Sequence, residues 1–402
     1  MSWLAVDPYV TDWLDLLIRW LHVIAAIAWI GSSFYFVLLD QSLRFPADVA
    51  DREAGVGGEL WEVHGGGFYH VQKYRVAPRE LPDHLAWFKW EAYTTWLSGF
   101  GLLVVLYYVN SRTYLIDPSV ADLEPWEAIA ISVGLLAAAW IVYDVLCRLL
   151  GGRELVLGAC IVGLTALAAW GCGELFARRA AYLQVGAMLG TVMAGNVLFN
   201  IIPAHRELIR AKQAGRDPDP APGIDAKRRS VHNNYLTLPV LFTMLAGHFA
   251  FTYGADHAWL VLICFMLLGA WARLFFNRRH AGRTVWAIPT VAVAATIGMA
   301  FWLQPDTSGS GTTATAPVAF ARVEAIVAAR CAPCHSLHPT QAGFSSPPAG
   351  VVLETADQIV AEAGRIETVV STGVMPLGNA TAMTQSERDA VVAWVEQGAR
   401  TK

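Results

Sequence analysis

Residues 17–36 read LIRWLHVIAAIAWIGSSFYF, in which Arg19 and His22 are the only groups able to carry a charge. A helix needs about 20 mostly apolar residues to cross the ~30 Å hydrocarbon layer of a bilayer, and this stretch supplies them. Comparable segments recur near 91–110, 126–149, 154–176, 181–203, 233–253, 257–277 and 284–303; with the first, extended to 11–39, they predict an all-α, polytopic membrane helical bundle of about eight transmembrane helices. The composition agrees: 55% of the 402 residues are hydrophobic and only 15% are charged, too few charges for a soluble chain of this size. A net charge of -4 without a basic block argues against a nucleic-acid partner. The opening MSWLAVDPYVTDWLDLL carries Asp7, Asp12 and Asp15 and no basic start, so the first segment reads as a retained anchor.

Loop charges orient the bundle. The connections after the first, third, fifth and seventh segments hold about 6, 2, 7 and 3 Lys or Arg, and those after the second, fourth and sixth about 1, 2 and 0. Basic loops stay cytoplasmic, which turns both ends of the chain outward. From Gln304 the composition changes: QPDTSGSGTTATAP has the character of a flexible tether, and the polar stretch beyond it that of a small soluble domain. The expected organisation is a membrane domain over 1–303, a linker over 304–316 and a redox domain over 317–402.

The redox assignment rests on CAPCH, residues 331–335. Two thiols at this spacing, Cys331 and Cys334, can add to the two vinyl groups of one haem c, and His335 then falls under the iron as its proximal ligand. Without the histidine the pair reads equally as a zinc or redox site. Haem attachment to such a motif takes place outside the bacterial cytoplasmic membrane, in agreement with the loop charges. A helix before the motif and a second over 385–399, opened by Thr384 and Glu387 in a capping-box pattern and carrying Trp394, give the expected class I-like all-α cytochrome c domain. The distal ligand is expected at Met375 in GVMP, with Met383 as competitor; His338 lies too close to the attachment site. Cys147, Cys160, Cys172 and Cys264 sit in or beside apolar segments and read as packing residues.

Polar groups inside apolar segments ask for an explanation, because ionisable side chains at membrane depth are costly and commonly line a cavity or pathway. They include Arg19, His22, Asn196, Asn200, Thr237, His248 and Arg273. His22 and His248 are the candidate axial pair of a b-type haem; each can equally serve as a bridge between helices. The run Lys227 to Arg229 reads as a solvated face. Two stretches stand out, EVHGGGFYHVQKY at 62–74, rich in imidazole and aromatic groups, and WFKWEAYTTWLSG at 87–99, rich in aromatic groups.

Together with LIRWLHVIAAIAWIGSSFYF and the terminal CAPCH, these stretches resemble the bacterial membrane-bound urate oxidase family, also called urate hydroxylase, over essentially the whole chain. The resemblance implies oxidation of urate to 5-hydroxyisourate in purine breakdown, with water as the oxygen source. It also implies a location in the bacterial inner membrane with the cytochrome on the periplasmic side, electrons leaving through the c-type haem to a respiratory acceptor. It assigns no catalytic residue. From chemistry alone, Lys73, Arg75 or Arg206 could neutralise the urate anion. Trp87, Trp90, Tyr69 or Phe68 could stack on it, and His64 or His70 could take a proton. A cytochrome-linked dehydrogenase of another small reductant and a non-catalytic electron conduit share the same signals; a haem-copper oxidase lacks its membrane histidine cluster. Intact-mass measurement is expected to find one haem-sized increment on the mature polypeptide, lost when Cys331 and Cys334 are both replaced by Ala; an unmodified wild-type mass would remove the redox reading.

Overall fold

The computed structural model describes residues 7–304 and 317–401. The proposed linker falls almost wholly outside the described residues. The fold is mainly helical. The eight apolar segments form α1 (Pro8–Ser42), α2 (Trp90–Leu102, continued by a π-helix over Leu103–Tyr108), α3 (Pro125–Leu149), α4 (Glu154–Gly173), α5 (Arg178–Gly195, continued by a π-helix over Asn196–Ile201 and an α-helix over Ile202–Gln213), α6 (Pro220–Ala246), α7 (Ala258–His280) and α8 (Ala287–Trp302). By length and composition α1, α3, α4, α5 with its continuation, and α7 can cross a membrane, and α8 is a shorter apolar helix.

Local chemistry sets the helix starts. Asp7 caps α1 by accepting from the Tyr9 N–H at 2.8 Å, with Pro8 in the first turn. Glu124 and Glu127 form a capping box ahead of α3. Asp219 and Pro220 start α6 well before the expected residue 233. The extra turns are polar and carry Lys227, Arg228 and Arg229, so hydropathy alone does not register them as helix. The π-helix in α5 precedes Pro203, which has no N–H to return to the previous turn.

α5 is the central element, buried along much of its length. It packs on α2, α3, α4 and α6; α6 lies between α5 and α7; α1 runs along α2 and touches α6 and α7; α8 leans on α7. Close approach is built from glycine: a Cβ at Gly195 on α5 would lie 2.5 Å from the Trp140 ring on α3. The outside of the bundle is apolar, with Ile27, Leu155, Leu167, Val293 and Phe301 all exposed. Buried apolar groups inside and bare ones outside are the arrangement lipid favours.

The bundle has two ends. One carries the α1–α2, α3–α4, α5–α6 and α7–α8 connections. There the structure departs from an all-α fold: residues expected to be loop form an antiparallel hairpin, β1 (Val56–His64) and β2 (Gly67–Tyr74). Gly65 and Gly66 make its two-residue turn at φ +58° and +83°, which glycine adopts without strain. Alternating aliphatic and aromatic residues around a Gly-Gly pair were the available signal.

The other end meets the C-terminal module: α9 (Phe320–Arg330), α10 (Ala356–Ala361), α11 (Ala363–Ser371) and α12 (Gln385–Glu396). Its core joins Val323, Val327, Ile359, Ile366, Val391 and Trp394. The Thr384–Glu387 capping box forms, and Trp394, 1% exposed, packs against Phe320 of α9 at 5.7 Å. Gly195→Ala is expected to destabilise the bundle by about 1–3 kcal/mol through overpacking against Trp140, read as lowered thermal stability in detergent; an unchanged transition would contradict this packing.

Candidate functional site

The C-terminal module gathers a donor set at one edge. Helix α9 ends at Cys331, and a tight turn follows in which the Cys334 and His335 N–H groups donate to the Cys331 carbonyl at 3.1 and 2.9 Å. Both cysteines are unpaired. Burial pushes the Cys331 thiol up to about 11, so it is a neutral thiol near pH 7. His335 Nδ1 pairs with the Val351 carbonyl at 3.1 Å, which makes Nδ1 the protonated nitrogen and leaves Nε2 its lone pair. Met375 is held on a loop: its N–H donates to Val369 O at 2.9 Å, and its carbonyl accepts from Arg388 Nη1 at 2.6 Å. Arg388 also donates to Val370 O at 3.1 Å and to Asn379 Oδ1 at 3.3 Å, so one guanidinium clamps the whole segment. Met383 is 3% exposed and packs in the core of the module, whereas Met375 is half-buried beside the bundle. Two thiols, one imidazole Nε2 and one thioether fit a c-type haem, whose porphyrin supplies the remaining iron ligands. Among the described residues no three His, Cys, Asp or Glu side chains cluster as a direct metal site.

This edge is seated on the bundle. Ser345 hydrogen-bonds Asp12 of α1, and the Phe344 ring lies 6.1 Å from that of Tyr114 in the short helix Ser111–Tyr114. A Cβ on Gly378 would lie 2.8 Å from Ile116 O and 2.9 Å from Thr113 O, so glycine is required at the contact. Val374 joins the main core of the bundle. Desolvation at this junction pushes the Tyr114 phenol up to about 12.

At the hairpin end the bundle interior is polar, in two clusters. In the first, Arg229 of α6 is 1% exposed. It donates to Asp144 of α3 at 2.8 Å and to Asn196 Oδ1 at 3.2 Å. Asn196 Nδ2 donates to Asn233 Oδ1 at 2.9 Å and to Tyr143 Oη at 3.0 Å. The Tyr143 hydroxyl then donates to His232 Nδ1 at 2.7 Å, and His232 Nε2–H to Glu154 at 3.0 Å. The second cluster lies between α1, α6 and α7. Arg273, 3% exposed, donates from Nε and Nη2 to Asn234 Oδ1 at 3.3 and 3.1 Å and from Nη2 to Asn277 Oδ1 at 3.1 Å. Asn277 Nδ2 donates to Asn234 Oδ1 at 3.2 Å. The Phe34 ring covers the guanidinium at 3.7 Å.

Several residues singled out in the sequence do not converge. His64 faces Gly67 at the hairpin tip, while Arg75 follows its base, roughly 25 Å away by strand rise. His70 stacks on Trp61 at 4.2 Å and donates from Nε2 to Glu59 at 2.9 Å. The Ala47 N–H, and then His70, hold the Glu59 carboxyl below the usual range. Lys73 pairs with Asp40 of α1, which also meets Lys227 at 3.1 Å. Lys89 sits over the Trp87 and Trp90 rings at 5.1 and 5.4 Å; Phe68, Tyr69 and Trp90 are exposed. His64, His70, Lys73 and Arg75 therefore do not assemble one small-molecule site.

His22 and His248 have different surroundings. His22 Nδ1 meets Thr95 O at 3.0 Å and Ser98 Oγ at 3.1 Å on α2, packed over Gly99. His248 is exposed in the turn after α6. Arg229 corrects the reading of Lys227 to Arg229 as a solvated face: its side chain turns inward onto Asp144. Asp144, a carboxylate inside the apolar run WIVYDVL, was the missed signal, since a charge at that depth needs a partner. Asn233, Asn234 and Asn277 carried no signal beyond polarity.

The family model described as urate oxidase N-terminal matches residues 8–304, the stretch that builds α1 to α8 and the hairpin. No curated protein and no solved structure matches the chain.

Arg229→Met removes the buried partner of Asp144, leaves only the exposed Arg148 on that carboxylate, and is expected to cost about 3–5 kcal/mol. Arg148→Met, which removes a 73% exposed partner of the same carboxylate, is expected to cost under about 1 kcal/mol. Parallel unfolding curves in detergent compare them; equal costs would contradict the buried pair.

Proposed function

The chain belongs to the urate oxidase N-terminal family, and from that membership we propose that it oxidises urate in a membrane and delivers the electrons to a c-type haem on its C-terminal module. The match over the entire bundle carries the reading; the donor set around CAPCH supports the electron acceptor. In this reading all eight helices cross the bilayer. Each runs from the hairpin end to the module end, including α2, interrupted by its π-helix, α6, whose first turns are charged, and the short α8. The Lys- and Arg-rich hairpin end faces the cytoplasm and the module faces the periplasm.

The overall reaction is urate plus water giving 5-hydroxyisourate, two protons and two electrons, the new oxygen coming from water. When bound, the haem supplies a one-electron acceptor, so each turnover needs two successive transfers. Cys331 and Cys334 would hold it covalently, and His335 Nε2 and the Met375 thioether would bind its iron. A thioether ligand would raise the reduction potential and favour acceptance. Arg388 fixes the Met375 loop within the module. Phe344, Tyr114 and Tyr107 continue from this edge into the membrane domain, with ring centroids 6.1 Å apart at each step. The module thus touches the bundle directly. Lys73 and Lys227 around Asp40 place cations at the cytoplasmic lip, where the urate monoanion enters.

Anaerobic addition of urate to the purified, haem-loaded protein is expected to reduce the c-haem absorption bands with two haem equivalents per urate. The Cys331→Ala variant should lose the response. Bands that stay oxidised with urate but respond to another reductant would replace this reading with a different dehydrogenase; no response to any small reductant would favour a conduit.

A further inference from the structure

The two buried arginines are unequal. Arg229 is compensated: Asp144 lies at 2.8 Å and Asp225 at 3.6 Å. Arg273 is equally buried, yet its hydrogen-bond partners are the neutral amide oxygens of Asn234 and Asn277, and it makes no ion pair among the described residues. A guanidinium stays charged at any pH a protein meets. An uncompensated charge in a low-dielectric interior carries a large desolvation penalty. Three donors converge on Asn234 Oδ1, which fixes the orientation of that amide, and its Nδ2 is buried without an acceptor. Nη1 of Arg273 likewise donates no hydrogen bond among the described residues, while Phe34 presents a flat aromatic face at 3.7 Å. Surplus positive charge, unmatched donors and a flat apolar wall together specify an acceptor-rich, planar anion.

The cluster lies directly below the lip. Lys227 on α6 and His280 on α7 each lie seven residues from Asn234 and Arg273 toward the hairpin end, and Asp40 lies six residues from Phe34 on α1. By helix rise the lip is about 10 Å above the cluster. At the lip itself Gln41 Oε1 and His280 Nδ1 are buried polar atoms without partners.

We propose that Arg273, Asn234, Asn277 and Phe34 form the binding site for a planar oxo-purine anion, the urate monoanion under the function proposed above, on which this inference rests. Arg273 Nη1 and Asn234 Nδ2 donate to its oxygens and nitrogens, Phe34 bounds the site, and Asn277 is a positioning residue that holds Asn234 in its flip state. The assignment places the substrate in the cytoplasmic half of the bundle and away from the exposed hairpin.

The test uses the full-length haem-loaded protein, pre-reduced with ascorbate so that urate binds without turning over, and measures equilibrium binding of radiolabelled urate. Arg273→Gln is expected to weaken binding about 30-fold or more. Asn234→Asp is the sharper variant. Nδ2 has no acceptor, so an oxygen in its place breaks no hydrogen bond and gives Arg273 an internal counter-charge. It should raise or preserve thermal stability and haem content while abolishing urate binding. Arg273→Lys, which keeps the charge but loses the fork, should fall between wild type and Arg273→Gln. Wild-type urate affinity in folded Asn234→Asp and Arg273→Gln would overturn the site and leave urate oxidation standing. Urate that binds wild type, is lost in both variants, but never reduces the oxidised haem would overturn the oxidase reading and leave the site. A wild-type protein that takes up no urate would remove both.

Discussion

The bundle is organised around charges that cannot reach water. Arg229, buried in α6, holds Asp144 of α3 and Asn196 of α5, and through Asn196 it reaches Tyr143, His232 and the Glu154 carboxylate of α4. In a low-dielectric interior Arg229 and Asn196 are stable only while their partners are in place, and the half-exposed Glu154 anchors the outer end of the chain. Four helices are thereby fixed in one rotation and one height at the hairpin end. Apolar packing in lipid specifies this poorly, because lipid tails compete with side chains for the same contacts.

The opposite end is fixed by different means. There the C-terminal module rests on the bundle through close backbone approach at Gly378, an aromatic contact between Phe344 and Tyr114, and burial of Val374 in the bundle core. Arg388 belongs to the module alone, yet it sets the loop that makes these contacts, because one guanidinium binds the carbonyls of Val370 and Met375 together with Asn379. The loop expected to carry a haem ligand is also the loop that touches the membrane domain. An electron acceptor placed there has a short path from the bundle interior.

These two ends give the molecule a direction. The polar interior and its lip of Lys73, Lys227 and Asp40 lie where the basic loops are; the thiols and His335 lie where those loops are sparse. Under the proposed function, substrate chemistry and electron exit are separated along the helix axes, and α2, with Trp96 stacked on Phe100 and Tyr107 against Tyr114, runs the length between them. The hairpin, rich in imidazole and aromatic groups, attracts attention in the sequence but spreads them along two strands, with Trp61, Val63 and Phe68 exposed on one face. That arrangement suits the bilayer interface better than a binding site.

Taken alone, the sequence determined the eight apolar helices, the basic polarity of their loops, the CAPCH motif and the capped final helix, because each depends on composition or spacing within some twenty residues. It indicated Arg273 and Asn196 as costly groups without saying what they touch. Tertiary structure decided which charges are paired and which are not. Asp144 finds Arg229 across 85 residues, and Arg273 finds Asn234 across 39. The same juxtaposition gives His22 its partners on α2, whereas the hairpin register separates His64 from Arg75. A side chain's partner at membrane depth is set by how helices rotate against one another, and that rotation is settled only when all the buried polar groups are satisfied together.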